Sequence, residues 1–131
     1  MSNAIALNVA PCFAPLMGGT PITVAAILEY LKYDEIHMSS GDCGNYSYMT
    51  ILNTTRMRLS LALTFFGPDS GEAKAVLQDM CFNFYMASKF ENANEWAQVV
   101  SCFEMLDEDT KTNSYCIDYV QEARQHLALP S

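Results

Sequence analysis

Beyond residue 20, apolar side chains recur at helical spacing along most of the chain, and clusters of glycine, proline, serine and asparagine cut the pattern into segments. Thr20 followed by Pro21 predicts a helix start, because proline at the first helical position gives up an N–H that would have no partner there. Val24, Ile27, Leu28 and Leu31 then supply an apolar stripe to about Tyr33, and Asp34 to Asn45 reads as a loop punctuated by Ser39, Ser40, Gly41, Asp42 and Gly44. Tyr46 to Leu52 suits either a short strand or a helix; a lone strand has nothing evident to pair with, so the helical reading is preferred. Thr54 to Phe66 is apolar on nearly every side, is closed by Gly67 and Pro68, and predicts the buried central helix.

Asp69 or Ser70 then caps a further helix, with Glu72 in the capping-box position after Asp69 and a stripe of Ala73, Val76, Leu77, Met80, Cys81, Phe84 and Ala87. Asn92 to Asp107 repeats the pattern with Ala93, Trp96, Ala97, Val100 and Phe103. Asn113 to Leu127 closes it with Cys116, Tyr119, Val120, Ala123 and Leu127. The fold class this predicts is all-α: a compact bundle of about five helices forming a single domain over 1–131, with solenoid-like character in the C-terminal half. Residues 1–20 read as an irregular apolar arm that must lie against the core or a partner.

Composition narrows the class of function. At 131 residues, 50% hydrophobic and 17% charged, the chain can bury one core without disulfides or a metal, and disorder is disfavoured. The net charge of −8 repels a phosphate backbone, so nucleic acid is not an expected partner. That charge is unevenly placed. From Asp69 onward eleven acids stand against Lys74, Lys89, Lys111 and Arg124, a balance of −7, so any electrostatic docking face is expected on the C-terminal half. Residues 4–17 lack the basic flank of a secretory signal, and Pro11, Pro15, Gly18, Gly19 and Pro21 break any membrane-spanning helix; a cytoplasmic chain without membrane contact is the expectation. Cys12, Cys43, Cys81, Cys102 and Cys116 are odd in number and widely spaced, which reads as reduced thiols in a reducing compartment.

Leu77, Met80, Cys81 and Phe84, followed by Ala93, Ala97 and Val100, resemble the helix-turn-helix of a tetratricopeptide repeat over about residues 77–108. The resemblance covers one repeat, with Ala97 where that family carries an aromatic residue, Val100 where it carries a small one, and no closing proline. It implies a helical hairpin of solenoid type, such as occurs in bacterial secretion chaperones.

Catalytic chemistry finds little to stand on. His37, Asp42 and Cys43 share one segment, so a thiol activated by a histidine base can be written down, but nothing in the sequence brings them within reach of each other. With two histidines and no CxxC pair, no metal site or cofactor is predicted. Glu104, Asp107, Glu108 and Asp109 lack the alternating oxygen ligands and glycine of a calcium loop and read as a helix C-terminus. Acids are electrostatically unfavourable there, a hint that they serve to meet cations.

The expectation is therefore a non-catalytic protein that binds another protein of basic character. Its leading form is an immunity or antitoxin-type inhibitor that neutralises a basic toxin, for example a nuclease, through an acidic helical surface. The alternative is a secretion or assembly chaperone that holds a client helix in the repeat-like groove, an idea fed by surplus apolar positions at Phe82, Tyr85, Met86, Val99, Cys102, Met105 and Leu106. The candidate protein-binding residues are Tyr85, Phe90, Glu91, Glu95, Trp96, Glu104, Asp107, Glu108 and Asp109, and the hairpin from Glu72 to Asp109 is the expected working surface.

Overall fold

The computed structural model describes residues 23–40 and 46–128. Among them it holds six helices and no strand: α1 (Val24–Ser39), α2 (Tyr48–Phe65), α3 (Gly71–Glu91), α4 (Trp96–Glu104), α5 (Glu108–Thr112) and α6 (Ile117–Ala128). The all-α bundle expected from the periodicity is what forms. The predicted N-terminal arm, Cys12, Asp42 and Cys43 lie outside the described residues.

Several boundaries differ from the sequence reading, each for a local reason. Helix α1 starts behind Thr23, whose hydroxyl accepts from the Ala26 N–H at 3.2 Å, and it continues to Ser39 through the stretch read as loop. Buried positions Val24, Ile27, Leu28 and Leu31 are followed at the same spacing by Glu35, so a charged residue carries the stripe onward where hydrophobicity alone sees it end. The ambiguous 46–52 segment is helical from Tyr48 onward and joins the Thr54–Phe66 helix without a break, with Ser47 as its cap accepting from Thr50 N–H at 3.1 Å. Gly67, at φ 92°, ends α2 in the left-handed region that glycine enters at little cost, and its N–H bonds back to Ala62 O.

Ser70 caps α3 by accepting from Ala73 N–H at 3.1 Å. It is α3, with ten buried residues, and not α2, with five, that occupies the centre. On α2 two of the buried positions are Thr55 and Arg58, while Met57, Leu59, Leu61 and Leu63 are only half-buried. One core cluster joins Leu52 of α2, Leu77, Met80, Cys81, Phe84 and Tyr85 of α3, Trp96, Val99, Cys102 and Phe103 of α4, and Val120 and Ala123 of α6. Burying aliphatic and aromatic side chains of this size contributes roughly 1.5–3 kcal/mol each.

The predicted helix over Asn92–Asp107 begins later and ends earlier. Asn92 and Asn94 both take φ 55°, a conformation asparagine tolerates better than most residues, and they turn the chain between α3 and α4. After Glu104 the chain breaks and restarts as α5 behind Asp107. Asp107, Glu108 and Asp109 therefore stand at a helix N-terminus, where negative charge is favoured, and not at the C-terminal end assigned from sequence. The hint of external use drawn from their unfavourable placement falls away with it.

Helices α1 and α3 both pack on α2 and make little contact with each other; α4 packs on α3, and α6 packs mainly on α4. The repeat-like positions on α4 only partly pack inward: Val100 is half-buried against the core cluster, but Ala97 is exposed. Helix α4 buries Trp96, Val99, Cys102 and Phe103 instead. No helix among the described residues is long and apolar enough to cross a membrane.

Candidate functional site

Two regions of the bundle gather residues with chemistry to offer. The first is one end of the molecule. The backbone N–H of Tyr48, at the start of α2, donates to both carboxylate oxygens of Glu91 at the end of α3, at 3.0 and 2.9 Å. Trp96, at the start of α4, stacks on His126 near the end of α6, with ring centroids 3.9 Å apart and planes 5° from parallel. Four helix ends therefore meet here. Around them Phe90 is 65% exposed, Leu127 52% and Tyr46 44%, beside Glu91 and a half-buried Glu95.

Of the residues predicted to bind a partner, the structure brings Phe90, Glu91 and Glu95 together at this end. Tyr85 and Trp96 are buried: the Tyr85 hydroxyl donates to Glu122 at 2.9 Å, and both rings belong to the core cluster. Glu104 is the last residue of the nine-residue α4, and Asp107, Glu108 and Asp109 follow it, at the end about 13 Å along the helix axis from Trp96.

The ion pairs sort the acids further. Glu104 meets Arg124 at 3.0 Å and Lys111 at 3.6 Å, Asp107 meets Lys74 at 3.3 Å, and Glu108 meets Lys111 at 3.3 Å. The Thr110 hydroxyl, donating to Asp107, together with Lys74, holds that carboxyl below its ordinary range. Lys89 pairs with Glu122 at 3.1 Å. All four bases of the C-terminal half are thus engaged within the chain. Asp69, Glu72, Glu91, Glu95, Asp109 and Asp118 make no ion pair among the described residues.

The second region is a groove between α1 and α3, floored by α2, and sequence reasoning missed it. At its centre Arg58 is only 3% exposed. Its Nη1 donates to Glu35 Oε2 and its Nη2 reaches Asp79 Oδ2, both at 3.0 Å. Glu35 Oε1 accepts from Thr55 Oγ1 at 2.8 Å, Thr55 accepts from Asn83 Nδ2 at 3.1 Å, and Asp79 Oδ1 accepts from the Tyr115 hydroxyl at 2.8 Å. A continuous hydrogen-bonded path thus runs from α3 through α2 to α1, back to α3, and out to the segment before α6.

Burial pushes the Glu35 carboxyl above its usual range, and Arg58 and Thr55 only partly counter that. Tyr115 keeps its ring half exposed while its hydroxyl points inward; desolvation, then the Asp79 charge, push that phenol far above its ordinary range, so it stays a donor. One group in this network is unsatisfied: Arg58 Nε is buried with no hydrogen-bond partner.

Arg58 and Lys32 border two cavities along the groove, of about 260 and 290 Å³. The first also has Glu35 and Asp79 in its wall, with Ile36 and Phe82 as apolar sides and Tyr115 at its edge. The second is lined by Leu28, Glu29, Glu72 and Val76 among others. These volumes lie just under the range of about 300–1,000 Å³ typical of drug-sized ligand sites, which suits a single side chain better than a cofactor. No cluster of three or more metal-ligating side chains occurs among the described residues.

The three described cysteines are reduced and buried, as the sequence suggested. His37 stacks on Tyr33 at a centroid distance of 5.6 Å. Comparison with protein-family models, with curated proteins and with solved structures returned no match.

Proposed function

We propose that this chain is a non-catalytic binding protein for a basic protein partner, of the immunity or antitoxin-inhibitor type, and that it docks through the end of the bundle formed by Phe90, Glu91 and Glu95. The observation that carries the reading is the charge inventory of the C-terminal half: its four bases are engaged internally, leaving six carboxylates without a counterion among the described residues. Unpaired surface carboxylates steer a basic partner and reject acidic ones, while an exposed aromatic residue among them supplies the contact that holds it.

Phe90 is suited to that role because it is the most exposed large apolar side chain among the described residues and costs little to desolvate. The apolar surplus that motivates the chaperone alternative is largely taken up inside the molecule. Tyr85, Val99, Cys102 and Leu106 are buried and Phe82 and Met86 half-buried, with Met105 alone of that set exposed, at 62%. That alternative is accordingly not carried forward.

The test is comparative affinity capture from the source organism with the wild-type chain and with a triple variant, Phe90→Ala, Glu91→Lys, Glu95→Lys. A protein of high isoelectric point retained by the wild type and lost by the variant supports the reading. Retention of the same protein by both overturns the assignment of the surface.

A further inference from the structure

Because α1 and α3 rest on α2 with little contact between them, the groove separating them is a standing feature of the packing. We infer that this groove accepts one basic residue of a polypeptide, a lysine or arginine whose cation meets the Asp79 and Glu35 carboxylates and whose main-chain carbonyl accepts from Arg58 Nε.

The argument begins with unused hydrogen-bonding capacity. Each oxygen of Glu35 and Asp79 accepts one bond from the network, and a carboxylate oxygen has room for two. Asp79 is the accessible partner, its side chain 27% exposed, and Arg58 and Tyr115 hold it in one orientation from either side. Arg58 contributes the opposite need: a buried N–H without an acceptor, in a residue that borders both cavities. A ligand that satisfies both must carry a cation and an acceptor. The carboxylates and the Nε surround one guanidinium, so the two features need be no farther apart than the ends of a single lysine or arginine residue. Ile36 and Phe82 flank the cavity as apolar walls for the aliphatic stem.

Electrostatics agrees in sign. The charged groups along the two cavities are Lys32 and Arg58 against Glu29, Glu35, Glu72 and Asp79, two cations against four carboxylates. An anion would find Lys32 and Arg58 but would have to approach those carboxylates to do so. The Arg58 charge is already paired with Glu35 and Asp79, whereas Lys32 has no ion pair among the described residues, so its charge at the rim opposes a cationic ligand.

This inference shares with the proposed function only the basic character of the ligand. Its test needs no partner protein, so either can fail alone. The full chain, ¹⁵N-labelled, is titrated with Nα-acetyl-arginine methylamide, Nα-acetyl-lysine methylamide, the neutral Nα-acetyl-norleucine methylamide and inorganic phosphate. The Arg58 Nε–Hε cross-peak and the Asp79 and Asn83 amides are followed. Both basic probes are expected to shift these signals saturably and norleucine is not. Lys32→Glu, a change at an exposed position, tightens the basic probes roughly five- to tenfold at low ionic strength. The inference is overturned if norleucine shifts the signals equally. It is equally overturned if phosphate alone saturates them and is weakened by Lys32→Glu, or if no probe moves the Arg58 signal.

Discussion

Replacing Arg58 by methionine is the perturbation whose outcome the structure fixes most tightly. The guanidinium is 4% exposed and lies 3.0 Å from carboxylate oxygens of both Glu35, 7% exposed, and Asp79, 27% exposed. Methionine fills a similar length of space, so the dominant loss is electrostatic: Glu35 is left as a buried carboxylate with only Thr55 to bond it. Breaking a buried pair in this way costs about 3–5 kcal/mol, and Asp79, being more accessible, adds little. Against a total stability of roughly 5–15 kcal/mol the change is severe, and a loss of about 3 kcal/mol moves a urea midpoint by roughly 1–3 M.

The pH dependence has a definite sign. Burial already raises the Glu35 pKa in the folded wild type, so the folded state binds its proton more tightly than the unfolded chain does. For such a group, stability is full below the unfolded pKa and is lost as pH rises through the folded one. Removing Arg58 takes away the charge that counters desolvation, raises the folded pKa further, and extends that window upward. The deficit of Arg58→Met should therefore shrink between pH 7 and pH 5. The double variant Glu35→Gln, Arg58→Met should recover most of it at pH 7, because a neutral amide no longer needs a counterion. Urea denaturation followed by circular dichroism at both pH values reads all of this. An Arg58→Met chain within about 1 kcal/mol of wild type at pH 7, or one that Glu35→Gln does not rescue, would refute the reasoning.

Three further outcomes follow from local geometry. Asn92→Val should destabilise the fold by about 1–2 kcal/mol, since a β-branched residue is strained at φ 55°, whereas Asn92→Gly should be near neutral; thermal unfolding of the pair distinguishes them. Ser70→Ala should cost about 1 kcal/mol through loss of the α3 cap, read by the same melts, and an unchanged melting temperature would contradict the cap's role. Burial pushes the Cys102 thiol up to about 11, and contact with Cys116 together with burial raises Cys81 further. At pH 8 only about one Cys102 side chain in a thousand is a thiolate, so peptide-resolved alkylation should modify both residues no faster than the protein opens.

How much of this was legible in the sequence depends on whether the stabilising contact was apolar. The stripes on α3 and α6 could be read because Val76, Leu77, Met80, Cys81, Phe84, Val120 and Ala123 bury hydrocarbon at helical spacing. The second half of α1 could not, because Glu35 continues its stripe as an ion pair, and a hydrophobicity pattern treats a paired buried acid as solvent-facing. Arg58 was hidden in the same way, in register with Ile51, Leu52, Thr55 and Ala62 on the buried face of α2. The usable signal was joint: opposite charges standing at core-register positions of two successive helices. Tyr85 and Trp96 read from sequence as partner-binding aromatics, but both are buried, and periodicity does not reveal that Glu122 and His126 of α6 cover them. Asp107, Glu108 and Asp109 were misplaced because a three-residue break, Met105 to Asp107, turns one helix end into the start of another.

The central claim, recognition of a basic partner by the acidic, Phe90-bearing end of the bundle, is tested most directly by the association rate. Stopped-flow mixing with the captured partner across a range of ionic strength should show the rate falling by about ten- to a hundredfold from low to high salt. Glu91→Lys with Glu95→Lys should flatten that dependence while Phe90→Ala mainly speeds dissociation. A salt-independent association rate, left unchanged by these substitutions, would contradict the account.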